Sequence, residues 1–310
     1  MSARRAPSTA DISLAAKARE SIDLLLSTMR GMRGRGDFSW VFEDIAAYDR
    51  LLQQHAHLAL SDALVLEIGY GPRPYRLIAL VSAGIDAEGV DAEAPVLHGK
   101  AREFITAYRT NGIERVLKSF VRRALFDRPD RRRFSATLRD RGLVQRIEQA
   151  RFHIGDAVDF QPAHRYDLIV SEDVFEHIPR ASLTRLIPSM ADWLRPGGLA
   201  LIRPNIYTGI TGGHALNWSR ASFTRAAHRT VEPWDHLRRR QHQPNTYLNE
   251  LTRQDYRELL STAFEILDEQ EALPELGREF FRGAVAHELR EWSEEELFSN
   301  QVRMVLRRRP

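Results

Sequence analysis

Val65-Leu66-Glu67-Ile68-Gly69-Tyr70-Gly71-Pro72 decides the fold of this chain. An apolar run, Ala63–Ile68, has the length of a buried strand and carries an acidic residue near its end. A Gly-x-Gly turn follows and leads into a helix. Glycines in such a turn let the backbone approach a ligand closely, and the helix N-terminus beyond favours an anionic group. Twenty-four residues after Glu67 comes Asp91, closing a second short run, Glu88–Asp91. A carboxylate there can accept from both hydroxyls of a ribose. A dinucleotide site asks for Gly-x-Gly-x-x-Gly, and position 74 is Pro74.

Further runs of the same kind follow along the chain. Phe152–Gly155, Tyr166–Ser171, Leu199–Arg203, Phe264–Leu267 and Val302–Leu306 read as buried strands. Helical stretches between them argue βαβ units and a doubly wound α/β sheet. Leu183, Leu186, Ile187, Met190 and Leu194 trace one helix face, which ends at the turn sequence Arg195-Pro196-Gly197-Gly198. Two amphipathic helices precede the first strand. One carries Ala15, Ala18, Ile22, Leu25, Leu26 and Met29, and the other Val41, Ile45, Tyr48, Leu52 and His55, with Gly31, Gly34 and Gly36 between them. The expected organisation is an N-terminal helical extension over 1–60 and one domain over 61–310. That domain carries helical inserts at about 95–150 and 207–250.

Four landmarks carry a resemblance. They are the Glu67–Gly71 turn, Gly155-Asp156-Ala157, the pair Tyr166–Ser171 and Val174-Phe175-Glu176-His177-Ile178, and Leu194-Arg195-Pro196-Gly197-Gly198. In this order over Ala63–Arg203 the chain resembles the class I S-adenosylmethionine-dependent methyltransferases, in their small-molecule, type 11-like group. Gly213-His214 with Trp218, and the run Tyr247–Thr252, are also similar to small-molecule members. The resemblance implies a Rossmann-like sheet of seven strands, the last antiparallel, and S-adenosyl-L-methionine as cofactor. It implies that Glu67, Gly69, Tyr70, Gly71, Asp91, Ala92, Asp156, Ala157, Ser171 and Glu172 line the cofactor site. The chain departs from the pattern at Arg73, which replaces the third glycine of the turn. Pro72 and Pro74 stiffen the same loop. No Asn-Pro-Pro-Tyr signature follows the fourth strand, which disfavours methylation of nucleic-acid bases.

Methyl transfer needs an aligned nucleophile and, for a hydroxyl, a group that removes its proton. His177 follows the fourth strand and His214 sits in a Gly-rich loop after the fifth, both on the carboxyl edge where ligands bind in open α/β sheets. They are the candidate catalytic residues, with Glu176 and Asp173 placed to orient a base. No metal is expected.

Composition narrows the rest. The chain has 310 residues, 43% of them hydrophobic and 28% charged, which marks a soluble globular protein. No cysteine is present, so disulfides, thiolate nucleophiles and Zn–Cys sites are excluded. No apolar run is long enough for a membrane span, and the N-terminal residues lack the apolar core of a secretory signal, so the expected compartment is the cytoplasm. Between Arg115 and Arg151, 12 basic residues face four acidic ones on a chain of net charge +3. This block reads as a solvated helical cap or a guide for an anionic acceptor. It has few aromatics to stack bases, so nucleic acid is disfavoured as a partner. The expected activity is methyl transfer to an oxygen of a small-molecule or glycan acceptor. An RNA methyltransferase and a non-catalytic nucleotide-binding module are the alternatives.

Overall fold

The computed structural model describes residues 38–106, 108–110, 128–215, 218, 231–244 and 246–309. The chain divides into two compact units, Met1–Asp37 and Phe38–Pro310. The first, with the expected Ala15–Met29 helix, lies outside the described residues, as do Arg115, Lys118, Arg122 and Arg123 of the basic block.

Val65, Leu66 and Ile68 are buried on both faces of β1 (Leu64–Ile68), as a strand inside a parallel sheet requires. β1 pairs in parallel with β2 (Asp86–Asp91) on one side and β4 (Tyr166–Glu172) on the other. β3 (Phe152–Ile154) extends the sheet beyond β2, and β5 (Leu194–Arg203) beyond β4. β7 (Val302–Arg308) lies antiparallel between β5 and β6 (Phe264–Glu271), which gives the order β3-β2-β1-β4-β5-β7-β6. All seven expected strands form, and the last is antiparallel. The chain leaves β1 toward β2 and returns on the other side at β4, so the carboxyl ends of β1 and β4 flank the switch point of the sheet.

The helices among the described residues include α1 (Ser39–Ala56), α2 (Tyr75–Ser82), α3 (Arg128–Asp140), α4 (Arg180–Trp193), α5 (Asp235–Arg238), α6 (Arg253–Leu260), α7 (Ala284–Glu288) and α8 (Glu294–Phe298). Strand alternation sorts the core into two layers. Val65, Leu168, Val170, Leu199, Leu201 and Val305 face α1, α2 and α3. Their neighbours Leu66, Ile169, Ala200, Ile202, Met304 and Leu306 face α4 and α6. The side chains of successive strand residues point to opposite faces, so one sequence run feeds both layers. Thr252 caps α6 with Asp255 in a reciprocal capping box. Among the described residues, no helix is long and apolar enough to cross a membrane.

Four details differ from the sequence reading. The β3–β4 crossover carries only the single turn Ala157–Asp159 instead of an α-helix. Strand β5 begins at Leu194, which pairs with Tyr166, and resumes at Leu199 opposite Leu168. The turn residues Arg195–Gly198 bulge out between, with Gly197 at φ +81°. A third apolar cluster, unforeseen, joins the 207–250 insert to the β6–β7 connection through Ile210, Trp218, Trp234, Leu289, Leu297 and Phe298. Finally, α3 is no free basic arm. Phe134 and Leu138 are buried in the core, and each such side chain contributes ~1.5–3 kcal/mol. The Arg131 guanidinium donates to the carbonyls of Val96 and Leu97. That removes Arg131 from any role in guiding an anion.

Candidate active site

The turn after β1 places its residues as a ligand cradle. Gly69 and Gly71 lie at φ +79° and +66°, where a side chain is strained. Their surroundings differ. A Cβ on Gly69 would come 2.3 Å from Val174 Cγ2, so this glycine packs against the turn after β4, whereas a Cβ on Gly71 meets nothing within 4 Å. The Gly71 amide donates to Asp91 Oδ2 at 2.7 Å and the Glu93 amide to Asp91 Oδ1 at 2.6 Å. Asp91 therefore ties the turn after β1 to the one after β2, where Ala92 is exposed. The following helix starts only at Tyr75, because Pro72 and Pro74 flank Arg73, which pairs with Asp130 of α3 at 3.2 Å. Below β2, Asp156 is spent on capping its own turn by accepting from the Val158 amide, and Ala157 is buried behind it.

Under the cradle lies a buried charge cluster. Glu67 Oε1 accepts from Arg76 at 2.9 Å, and Oε2 is buried with no hydrogen-bond partner among the described residues. Burial raises the Glu67 pKa against the pull of Arg76. Asp44 of α1 binds Arg76 at 3.0 Å, Arg203 at 3.0 Å and Arg303 at 2.8 Å. Burial opposes its charge, but these three guanidinium groups hold its pKa below the usual value. Glu172 accepts from Tyr48 Oη at 2.7 Å and from Arg303 at 3.1 Å, and pairs with Arg203. The cluster fastens α1 to the carboxyl ends of β1, β4 and β5 and to β7.

At the end of β4, the turn Phe175–His177 is clamped from outside. Asn249 Nδ2 donates to the carbonyls of Phe175 and Ile178 at 2.8 and 2.9 Å, and the Asn249 amide donates to the Glu176 carbonyl. His177 Nδ1 lies 2.9 Å from the Tyr247 carbonyl. A carbonyl only accepts, so this nitrogen bears the proton and Nε2 carries the lone pair. His214 comes from the loop after β5 at φ +52°, with Gly213 packed so tightly that a Cβ would lie 2.5 Å from the His236 ring. Glu176 Oε1 lies 4.0 Å from His177 Nε2 and 3.9 Å from His214 Nε2, and accepts from Asn205 Nδ2 at 2.7 Å. Burial and Asp173 push the Glu176 pKa up to about 8. Burial and the neighbouring imidazoles push that of His214 down to about 4.

The sequence model of the methyltransferase-domain family matches residues 40–263. The chain belongs to this methyltransferase family. It is a class I enzyme that uses S-adenosylmethionine and transfers its methyl group. Among solved structures, it is similar to an S-adenosylmethionine-dependent methyltransferase from Clostridium acetobutylicum, at 11% identity and TM-score 0.46, with 94% of this chain and 98% of that one covered. The N-methyltransferase NodS from Bradyrhizobium japonicum is 14% identical, at TM-score 0.38, over 89% of this chain and 99% of that one. The geranyl diphosphate C-methyltransferase from Streptomyces coelicolor is 14% identical, at TM-score 0.41, over 85% and 79%. No curated protein matches the chain in sequence.

The residues of this methyltransferase fit its cofactor. S-adenosylmethionine carries an ammonium, a carboxylate and a ribose diol. Open space stands over Gly71, and Glu67 Oε2 is an orphaned buried acceptor. The Asp91 carboxylate stands at the same edge, at the end of β2. The side chains of three expected cofactor residues also make contacts within the protein. The Tyr70 hydroxyl donates to the His153 carbonyl at 3.0 Å, so only its backbone faces the turn. Ser171 Oγ donates to the Ile68 carbonyl at 3.0 Å and joins β4 to β1. Glu172 is held inside the charge cluster. The sequence reading missed Asp44, Arg76, Arg203 and Arg303, and the clamps Asn205 and Asn249. One signal was present: Asp44 lies on the apolar stripe of α1 with Val41, Tyr48 and Leu51, where a carboxylate needs a partner.

Proposed function

We propose that this methyltransferase methylates a hydroxyl oxygen of a small-molecule acceptor, glycans included, beside the Glu176–His177–His214 cluster. One observation carries the reading: the Tyr247 carbonyl fixes the proton of His177 on Nδ1, which leaves a basic Nε2 at the carboxyl edge. S-adenosylmethionine supplies an electrophilic methyl group on a sulfonium, so the chain must present an acceptor lone pair and take away its proton. His177 Nε2 takes that proton, and His214 borders the acceptor. An amine that arrives deprotonated needs no such base, which favours the hydroxyl.

In the same reading Glu67, Gly69, Tyr70 (through its backbone), Gly71, Asp91 and Ala92 hold the methionine and ribose parts of the cofactor. Asp156 and Ala157 border the adenine. Val174 supports the placement of the cluster beside this cradle, since it packs on Gly69 and directly precedes the turn that bears His177. Residues 1–60 are taken as an N-terminal extension and residues 61–310 as the catalytic domain, with α1 laid on its sheet. The commitment of Arg131 to backbone carbonyls weakens the case for an anionic acceptor.

The test is methyl transfer from labelled S-adenosylmethionine to a panel of alcohols, phenols, sugars and amines. Product with hydroxyl acceptors is expected. Turnover of amines alone would overturn the hydroxyl reading and leave methyl transfer intact.

A further inference from the structure

Glu176, His177 and His214 each bring one ligand atom to within 4.8 Å of the other two, and each reaches the cluster from a fixed support. The hydrogen bond from His177 Nδ1 to the Tyr247 carbonyl is the arrangement that orients a metal-binding imidazole and leaves Nε2 as the donor. Asn205 plays the same part for the Glu176 carboxylate, at 2.7 Å from Oε1. Two atoms of the cluster lack a use. His214 Nε2 and Glu176 Oε2 are buried and have no hydrogen-bond partner among the described residues. Buried polar atoms are ordinarily satisfied, and two orphans in one cluster call for a shared partner.

We propose that Glu176, His177 and His214 form a binding site for one divalent transition cation, held by both Nε2 atoms and the Glu176 carboxylate. Two imidazoles and a carboxylate suit Zn²⁺, Mn²⁺, Fe²⁺ or Co²⁺, whereas Mg²⁺ and Ca²⁺ prefer all-oxygen sites. Bound ligand atoms stand ~2.0–2.2 Å from such an ion, so the present separations of 3.9 and 4.0 Å close by modest side-chain shifts. Asp173 lies outside the three-residue cluster, and its Oδ1 accepts from Asn205 and Gln301. Three protein ligands leave coordination positions open, as in catalytic rather than structural sites. The open side is that of His177, whose side chain is 33% exposed.

The role of the cation rests on the hydroxyl reading above. An acceptor with two adjacent oxygens, such as a vicinal diol or a hydroxy-carbonyl, can chelate the ion through its open positions. The ion then acidifies the bound hydroxyl, whose proton leaves to solvent. It thereby replaces the His177 imidazole in that task, with His177 as ligand. The oxygen lone pair forms the new O–C bond while the C–S bond of the sulfonium breaks and its electron pair stays on sulfur.

The experiment uses metal alone. Chelator-stripped full-length protein is titrated with Mn²⁺ and Zn²⁺ by calorimetry, and Co²⁺ is added to follow its absorption spectrum. One equivalent is expected to bind to the native protein, with at least a tenfold weaker affinity in His214→Ala and in His177→Gln. Binding of S-adenosylhomocysteine, measured in parallel, reports that each variant is folded. His177→Gln at the exposed edge keeps the test valid if His214→Ala does not fold. No binding to the native protein, or equal affinity in the variants, overturns the cation site. Failure to bind S-adenosylhomocysteine with the cation site intact would instead count against the cradle assignment.

Discussion

The imidazoles of His177 and His214 meet edge to face, with ring centroids 5.1 Å apart and planes at 90°. They come from two different crossovers, one after β4 and one after β5, and share Glu176 between them. Backbone strain accompanies the meeting, since Asp173 and His214 both lie at positive φ. Strain of ~1–3 kcal/mol per residue persists only where surrounding contacts enforce it, as Asn205, Asn249 and Gly213 do here. Strained backbone and orphaned polar atoms thus meet in one cluster.

Removing the imidazole of His177 should slow chemistry without unseating the cofactor. A base or an activating ligand contributes ~10²–10⁴-fold to rate. The kcat of His177→Ala should fall by about that factor, while calorimetry shows S-adenosylhomocysteine binding unchanged. A kcat within a few-fold of native would remove His177 from the reaction.

The two glycines of the cradle should fail in different ways. Gly71→Ala puts a methyl group into open space at φ +66°, so it should weaken S-adenosylhomocysteine binding, with a stability loss of only ~1–2 kcal/mol from strain. Gly69→Ala drives its methyl into Val174 and should lower the melting temperature more, with partial rescue by Val174→Ala. Equal melting temperatures for the two single variants would contradict the assignment.

Asp91→Ala should weaken binding of S-adenosylhomocysteine by ~1.5–3 kcal/mol, the usual scale for hydrogen bonds to a charged acceptor. It also takes away the acceptor of the Gly71 amide, so amide exchange at Gly71 should accelerate. An unchanged dissociation constant would place the ribose elsewhere.

Asp44→Ala should destabilise the fold by ~3–5 kcal/mol, because it leaves Arg76, Arg203 and Arg303 without their common counter-charge. Denaturant titration measures this directly. A loss below ~1 kcal/mol would mean that the guanidinium groups re-pair with Glu67 and Glu172.

His236 supplies a pH signature away from the reaction. Burial lowers its pKa from 6.5 to about 4, and its Nε2 donates to the Tyr207 carbonyl at 2.8 Å. The folded state binds this proton less tightly than the unfolded state. Its contribution to stability is therefore complete above pH 6.5 and is lost as the pH falls toward 4. The slope from one such group reaches at most ~1.4 kcal/mol per pH unit. Unfolding free energies of native protein and His236→Gln, compared across this range, should show the shallower acid slope in the variant.

The sequence alone determined the seven strands, the Gly-x-Gly turn and the acidic residue after β2. These are local patterns: apolar runs of strand length, glycine at positive φ, and spacing along one crossover. It also placed His177, after β4, and His214, in the loop that follows β5, on the carboxyl edge of the sheet. What it could not determine was pairing across elements. The Ser171 Oγ donates to the Ile68 carbonyl of the neighbouring strand, and Arg203 and Arg303 reach Glu172 from β5 and β7. Arg131 was one of the basic residues of the Arg115–Arg151 block, and α3 lays it against the Val96 and Leu97 carbonyls. Tyr247 and Asn249 carried no hint that they clamp the Glu176–His177 turn. Hydrogen bonds and ion pairs between residues far apart in sequence depend on how the layers stack, and only the tertiary structure decides that.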